Sequence, residues 1–221
     1  MKERIFGIIG LSSFGYYLAL ELAKHGHDVT VVDIDAEKIE DVKDYVSRAV
    51  VGDASDRKTL VELDLSQCDV VVVSLGTSID VSILATLYLR EMGVKKILVK
   101  AITDDQGKIV ELIGADDVIY PERDMALRVA SQLRFPNVVE QMTLGEDLQL
   151  VEIAVPDRFV GKSLSDLNLR QKYNVLVVLI RQTLPAKTTL LPAGDRVFNP
   201  DEVLVLLGET KSIEKLQYEL A

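Results

Sequence analysis

The 221-residue chain reads as an α/β protein, a doubly wound parallel sheet followed by a small C-terminal α+β domain, and three observations predict this. The first is the run Ile5 to Asp33, in which an apolar strand, a glycine-bounded turn, an amphipathic helix and a second apolar strand follow without interruption. The second is that strand-length apolar segments go on alternating with helical patterns as far as Ile119. The third is a change of pattern at Phe135-Pro136-Asn137, after which shorter strands and turns take over.

Each element has its own signal. In IFGIIGLSSFG, Gly10 and Gly15 bracket the turn in a G-x-S-x-x-G pattern. This is one residue away from the G-x-G-x-x-G that lets a backbone approach a pyrophosphate at a helix N-terminus. Ser12 replaces the middle glycine, so it either crowds that contact or supplies a hydroxyl to it. Asp33 closes the second strand roughly twenty residues on, where a carboxylate is suited to accept bonds from ribose hydroxyls. A helix is expected from Ala36 to Asp44, a strand over Ala49 to Val51, and a short helix from Asp56 to Leu63. The segment DVVVVS, Asp69 to Ser74, is apolar on both faces, as a parallel sheet covered by helices requires. A helix from Ile79 to Met92 stops at Gly93, Ile97 to Val99 forms a fifth strand, and Asp104 or Asp105 caps a helix that runs to Ile113. A sixth strand covers Val118 to Ile119, and a helix starts at Pro121.

With strand order 3-2-1-4-5-6 the topological switch lies between the first and fourth strands, which makes this a Rossmann-like sheet with its ligand at that crevice. The Gly10 to Gly15 turn and the Ser74-Leu75-Gly76-Thr77 segment should border the crevice, with Asp33 and Asp53 on the adenosine side. The first domain is drawn as residues 1–138. The second, 139–221, reads as a strand from Leu148, a loop with Gly161, a helix around Leu164 to Asn168, a strand over Val175 to Ile180, a strand-turn-strand through LPAGDRVFNPDEVLVLLG, and a helix from Ser212 to Leu220.

Composition narrows the function. The net charge is -10, with 16 basic against 24 acidic residues up to Glu140 and 9 against 11 beyond it. The absence of a basic tract disfavours nucleic acid as a partner. No apolar run approaches the roughly 18 to 20 residues of a membrane span, and MKERIFGIIG enters a strand without a leader-like segment, so a cytoplasmic protein is expected. The single cysteine, Cys68, excludes a disulfide scaffold within one chain and reads as a small core residue. His25 and His27 share a turn at the end of the sheet opposite the crevice. No tyrosine is followed four residues later by lysine, and no G-x-S-x-G elbow occurs. Without an acid or base beside the cofactor, the reading is of a nucleotide-binding protein that is not an enzyme. A small NAD-dependent oxidoreductase and an assembly module with a structural nucleotide are the alternatives.

These residues resemble a family, the RCK or KTN regulatory proteins of bacterial potassium transport of the Ktr and Trk type, over nearly the whole chain. The matching pieces are GLSSFG (from Gly10), VVDID (from Val31), VVGDAS (from Val50), VKA (from Val99), GADDVIYPE (from Gly114) and FVGKSLSDLNLRQKYNVLVVLIR (from Phe159). The resemblance implies a cytosolic gating subunit, peripheral to the inner membrane through a channel or transporter subunit. It also implies homodimers that assemble into a ring, commonly an octamer. The effector would be an adenine nucleotide (AMP, ADP or ATP) or NAD(H), acting through differential affinity for two ring states. By this resemblance Gly10, Ser12, Ser13, Phe14 and Gly15 face the phosphates, while Asp33, Ile34 and Asp35 border the ribose. Asp53 and Ala54 flank the adenine, Ser74, Leu75 and Gly76 the ribose and phosphate side, and Lys100 supplies positive charge. Glu122 matches a family glutamate near the phosphates that can help hold a divalent cation. The second domain resembles RCK_C modules, some of which bind cyclic di-AMP, and Arg170, Asn174 and Pro192 are the positions to inspect. The family commonly reads G-L-G-R-F-G at the turn. Ser13 stands where that arginine would reach a terminal phosphate, so a preference for ligands with fewer phosphates, such as AMP or ADP, is expected.

Overall fold

A computed structural model of the chain describes residues 4–145 and 147–220. The chain divides into two compact units, Met1–Arg123 and Asp124–Ala221.

The first unit alternates strand and helix throughout: β1 (Ile5–Ile9), α1 (Ser13–Lys24), β2 (Asp28–Asp33), α2 (Ala36–Val42), β3 (Arg48–Val51), α3 (Arg57–Glu62), β4 (Val70–Val73), α4 (Ile79–Glu91), β5 (Ile97–Lys100), α5 (Asp104–Ile113) and β6 (Asp117–Ile119). The strands form one parallel sheet in the order β3-β2-β1-β4-β5-β6, which is the predicted doubly wound arrangement. Registers such as Ile8 opposite Val31 and Val72 stack successive side chains on opposite faces. Phe6, Ile8, Val29, Val31, Val70 and Val72 pack with Ala19 of α1 and Ile39 and Val42 of α2. Ile9, Val32, Val71, Val73, Ile97 and Val99 pack on the other face with Leu60 of α3, Ala85 and Leu89 of α4 and Val110 of α5. Both faces are covered, and this is why β4 can be valine throughout.

Helix starts follow capping chemistry. Asp35 and Asp56 accept bonds from the backbone N–H groups of Glu37 and Lys58. For α5 the cap is Thr103, whose hydroxyl accepts from the Gln106 N–H, rather than the expected Asp104 or Asp105. Those two aspartates lie inside the first turn, where the helix dipole favours negative charge.

Helix α6 (Pro121–Arg134) follows. The second unit holds β7 (Val138–Thr143), β8 (Leu148–Ala154), α7 (Leu164–Leu167), α8 (Leu169–Tyr173), β9 (Val175–Gln182), β10 (Lys187–Leu190), β11 (Glu202–Glu209) and α9 (Thr210–Leu220). Its strands form an antiparallel sheet in the order β10-β9-β11-β8-β7. The core joins Val151 and Ile153 of β8, Ile180 of β9, Leu204 and Leu206 of β11, Phe198 of the β10–β11 loop, and Ile213 and Leu216 of α9. Glu202 is buried at the root of that loop and accepts from the Asn199 N–H at 2.9 Å, the Asn199 side-chain amide at 3.0 Å and the Arg196 guanidinium. The sequence reading missed β7, which pairs along β8 with an irregularity between Val138 and Glu140, and it missed α8, separated from α7 by Asn168 in the left-handed region at φ 49°.

Candidate functional site

The predicted crevice exists. A pocket of about 400 Å³ lies where β1 and β4 run side by side and the chain leaves them for helices on opposite faces. Most of its lining comes from the carboxyl ends of the first four strands: Ser12 after β1, Asp33 and Ile34 at the end of β2, Gly52 to Ser55 after β3, and Ser74 to Ser78 after β4, with Val32 of β2, Lys38 of α2 and Val81 of α4 completing it. Its size falls within the roughly 300 to 1,000 Å³ of small-molecule sites.

The turn is shaped by two glycines and two serines. Gly10 has φ +91°, and a Cβ there would stand 2.5 Å from the Ser74 carbonyl oxygen. A Cβ on Gly15 would overlap the Gly10 carbonyl oxygen. The two residues therefore hold the start of α1 against the end of β4. Ser12 occupies the N-cap position of α1, yet its side chain makes no capping bond. Its hydroxyl instead shares a hydrogen bond of 2.6 Å with the Ser74 hydroxyl, tying the β1 and β4 loops together. The N–H groups of the first turn of α1 thus have no side-chain cap, the arrangement that favours an anion at a helix N-terminus.

Asp33 is buried and organises the adenosine side. One carboxylate oxygen accepts the Leu11 N–H at 2.6 Å and the other the Asp35 N–H at 2.9 Å, so it braces both the β1 turn and the start of α2. Each oxygen keeps acceptor capacity, since an ionised carboxylate offers about four lone-pair sites. Lys38 of α2 stands 3.9 Å from Asp33 and lines the pocket. Asp53 holds the Ser55 N–H at 2.8 Å, and its carboxyl sits below the usual carboxylate range, through the Ser55 side chain first and the Ser55 backbone second.

Of the residues expected to face a nucleotide, Ser12, Asp33, Ile34, Asp53, Ala54, Ser74, Leu75 and Gly76 line this pocket. Gly10 and Gly15 shape it from behind, Phe14 packs against the core beneath α1, and Ser13 is exposed on the first turn of that helix. Asp35 caps α2. Lys100 is buried and bonded to Glu122, outside the pocket lining, and that bond holds the Glu122 carboxyl below its usual range. Among the described residues no group of three or more His, Cys, Asp or Glu is placed to hold a metal ion. Sequence reasoning missed Lys38, Ser55 and Ser78. Ser55 was within reach in the VVGDAS motif; Lys38 enters only because α2 folds back over Asp33.

In the second unit Arg170 is exposed on α8, and Asn174 closes that helix in the left-handed region at φ 55°. Pro192 is half-buried in the loop after β10.

A Rossmann-like unit with its cleft at the switch point, followed by a small antiparallel unit, defines the class of two-part RCK regulatory chains. Residues 6–121 match the TrkA-N domain and residues 148–220 the TrkA-C domain. The chain belongs to this TrkA-N/TrkA-C family of regulatory subunits, which is not a family of enzymes. It is 36% identical over 217 residues to the Ktr system potassium uptake protein C of Bacillus subtilis, covering 98% of this chain and 97% of that protein. It is also 36% identical over 200 residues to the Ktr system potassium uptake protein A of Vibrio alginolyticus, covering 88% of this chain and 91% of the other. The fold matches the crystal structure of the GsuK RCK domain with a TM-score of 0.67 at 19% identity. It matches the GsuK channel bound to NAD with a TM-score of 0.65 at 18% identity. All of this chain is covered in both, against 48% and 40% of those longer chains. No helix among the described residues is long and apolar enough to cross a membrane.

Proposed function

We propose that the chain is the cytosolic, nucleotide-sensing gating subunit of a Ktr-type potassium channel or transporter, and that it binds an adenine nucleotide or NAD(H) as an effector without turning it over. The observation that carries this is the pocket at the β1–β4 switch point, where an uncapped helix N-terminus and the loops after four strands meet. Potassium uptake enters through the full-length likeness to Ktr proteins.

On this reading residues 1–138 bind the nucleotide and 139–221 serve dimerisation and effector response. Ser12, Ser13 and the first turn of α1 receive the phosphates, Asp33, Ile34 and Asp35 the ribose, and Asp53 and Ala54 the adenine. Ser74, Leu75 and Gly76 close the opposite wall. Lys100 and Glu122 stand ready for a terminal phosphate and a divalent cation when a second chain completes the site. Arg170, Asn174 and Pro192 belong to a cyclic di-AMP groove shared by two copies. Self-association into a ring such as an octamer is supported by α6, which has no buried residue and exposes Met125, Leu127, Val129 and Leu133.

The test is to denature the purified protein, identify released nucleotide by mass spectrometry, and titrate the emptied protein with AMP, ADP, ATP, NAD and NADH. Binding without turnover, with ATP no more than about tenfold tighter than ADP, is the expected result. Fixed occupancy without any effector-dependent change of assembly would make the nucleotide structural, and binding of none would remove the sensing role.

A further inference from the structure

The second unit carries a basic pocket that the nucleotide reading does not use. Three of the six arginines of this unit are matched to acids: Arg128 to Glu140, Arg181 to Glu152 and Arg196 to Glu202. Arg158, Lys162 and Lys172 differ. Among the described residues none of them forms an ion pair, and all three line one pocket of about 160 Å³. They converge from separate pieces of chain: Arg158 from the turn Asp157–Phe159, Lys162 from the loop after it, and Lys172 from α8. Lys215 of α9 adds a fourth cation, 5.8 Å from the ring centre of Tyr173, which also lines the pocket.

Among the described residues, acids around the pocket accept their hydrogen bonds from neutral groups and form no ion pair with these cations, although the charge of Lys162 acts on Asp166. Glu219 accepts the Tyr173 hydroxyl, which pushes that phenol's pKa up, chiefly through the hydrogen bond itself. Asp166 is held by the Ser163 hydroxyl at 2.7 Å and the Ser163 N–H at 3.0 Å in a capping box. Asp157 borders the neighbouring cleft. The floor is apolar, formed by Phe159, Leu167, Leu169 and Leu216. Three unpaired cations around a concavity with low-dielectric walls repel one another and focus positive potential into it, and a multiply charged anion relieves both effects. In a chain of net charge -10 such a concentration stands against the overall sign.

We propose that this pocket binds a soluble, phosphate-bearing small anion, with Arg158, Lys162 and Lys172 as its ligands. The volume suits a phosphate or diphosphate group rather than a whole dinucleotide, for which sites of roughly 300 Å³ or more are usual. The site is separate from Arg170, Asn174 and Pro192, none of which lines it, and it does not depend on any ligand at the β1–β4 crevice.

The test uses the full chain and inorganic pyrophosphate at constant ionic strength. Lysine acylation is followed residue by residue by mass spectrometry. Lys162 and Lys172 should react about fivefold more slowly with pyrophosphate present, as charge-assisted contacts shield their ammonium groups, while exposed Lys187 and Lys211 keep their rates. Equal slowing at all four lysines, or none, would overturn the proposal. So would protection only by vesicles of equimolar phosphatidylcholine and phosphatidylglycerol, which would identify a membrane-surface patch instead. The double variant Lys162→Gln with Lys172→Gln should weaken pyrophosphate binding at this site about tenfold. The control pair Lys187→Gln with Lys211→Gln should not change it, and the acylation readout on the unaltered chain decides the matter if a variant folds poorly.

Discussion

Single atoms decide the geometry of the β1–β4 crevice. Gly15→Ala should destabilise the protein by about 1–3 kcal/mol, the usual range for overpacking, because the added methyl collides with the backbone of Gly10 rather than with a side chain that can turn away. The midpoint of a urea titration measures this. Gly107 makes a contrast, since the atom in its way is the far end of the Tyr120 side chain, so Gly107→Ala should be tolerated better. Cys68 is buried, and burial pushes its thiol up to about 11 from an ordinary 9.0. The thiol is then protonated at pH 8, and an aromatic disulfide reagent should find no reactive thiol in the native protein and one after unfolding. The folded state's raised value also means that this group leaves stability unaffected below about pH 9 and lowers it as pH rises from there toward 11. Glu122 runs the other way. Its carboxyl is held low by Lys100, so the stabilisation it gives is complete above the ordinary glutamate range and disappears as pH falls through the lowered value. Glu122→Gln should therefore cost more stability at pH 7 than at pH 3, compared by thermal melts at each pH. At this scale the glycines and Asp33 were legible because their chemistry is local. Ser12 was legible only as an alternative, because the hydroxyl it meets belongs to Ser74, sixty-two positions away, and only the sheet brings the two together.

At the scale of elements, legibility followed burial. β1, β2 and β4 are valine- and isoleucine-rich because helices cover both faces, and such runs announce themselves. β7 reads VVEQMT and buries only Val138, so it carries little pattern of its own and becomes a strand by pairing along β8. α7 and α8 are too short for a helical period to show; the capping box at Ser163 and the left-handed Asn168 define them instead. Phe198 is the converse case, fully buried although it sits in a loop, because the buried Glu202 ties that loop to the sheet. Phe198→Ala should cost about 3–5 kcal/mol in a denaturant titration, whereas Leu191→Ala, at an exposed position of the same loop, should stay within about 0.5 kcal/mol. For α6, Leu127→Glu together with Leu133→Glu should lower the sedimentation coefficient toward that of a monomer with an unchanged far-UV spectrum. An unchanged coefficient would move the ring contacts to another surface.

At the scale of the whole molecule, the proposed sensing role turns on whether ligand binding in one unit is felt in the other. A ligand that binds only the folded state stabilises it by RT ln(1 + [L]/Kd), about 2.7 kcal/mol at a hundredfold excess over Kd. The pocket is built mainly from the carboxyl ends of β1 to β4 and the loops that follow them, so those strands should receive that stabilisation directly. Amide hydrogen exchange of the full chain with and without ADP resolves the two sheets separately. Slow amides of β1, β2 and β4 should gain about 2.7 kcal/mol in opening free energy under those conditions. If β8 and β11 gain nothing, the two units open independently, and the nucleotide must act on the ring through surfaces of the first unit alone. A gain in β8 and β11 approaching that of the first sheet would show one cooperative body, in which the second unit carries the signal. Absence of protection in either sheet, at a concentration where titration shows ADP bound, would leave occupancy without a mechanical consequence and would favour a nucleotide that merely completes the fold.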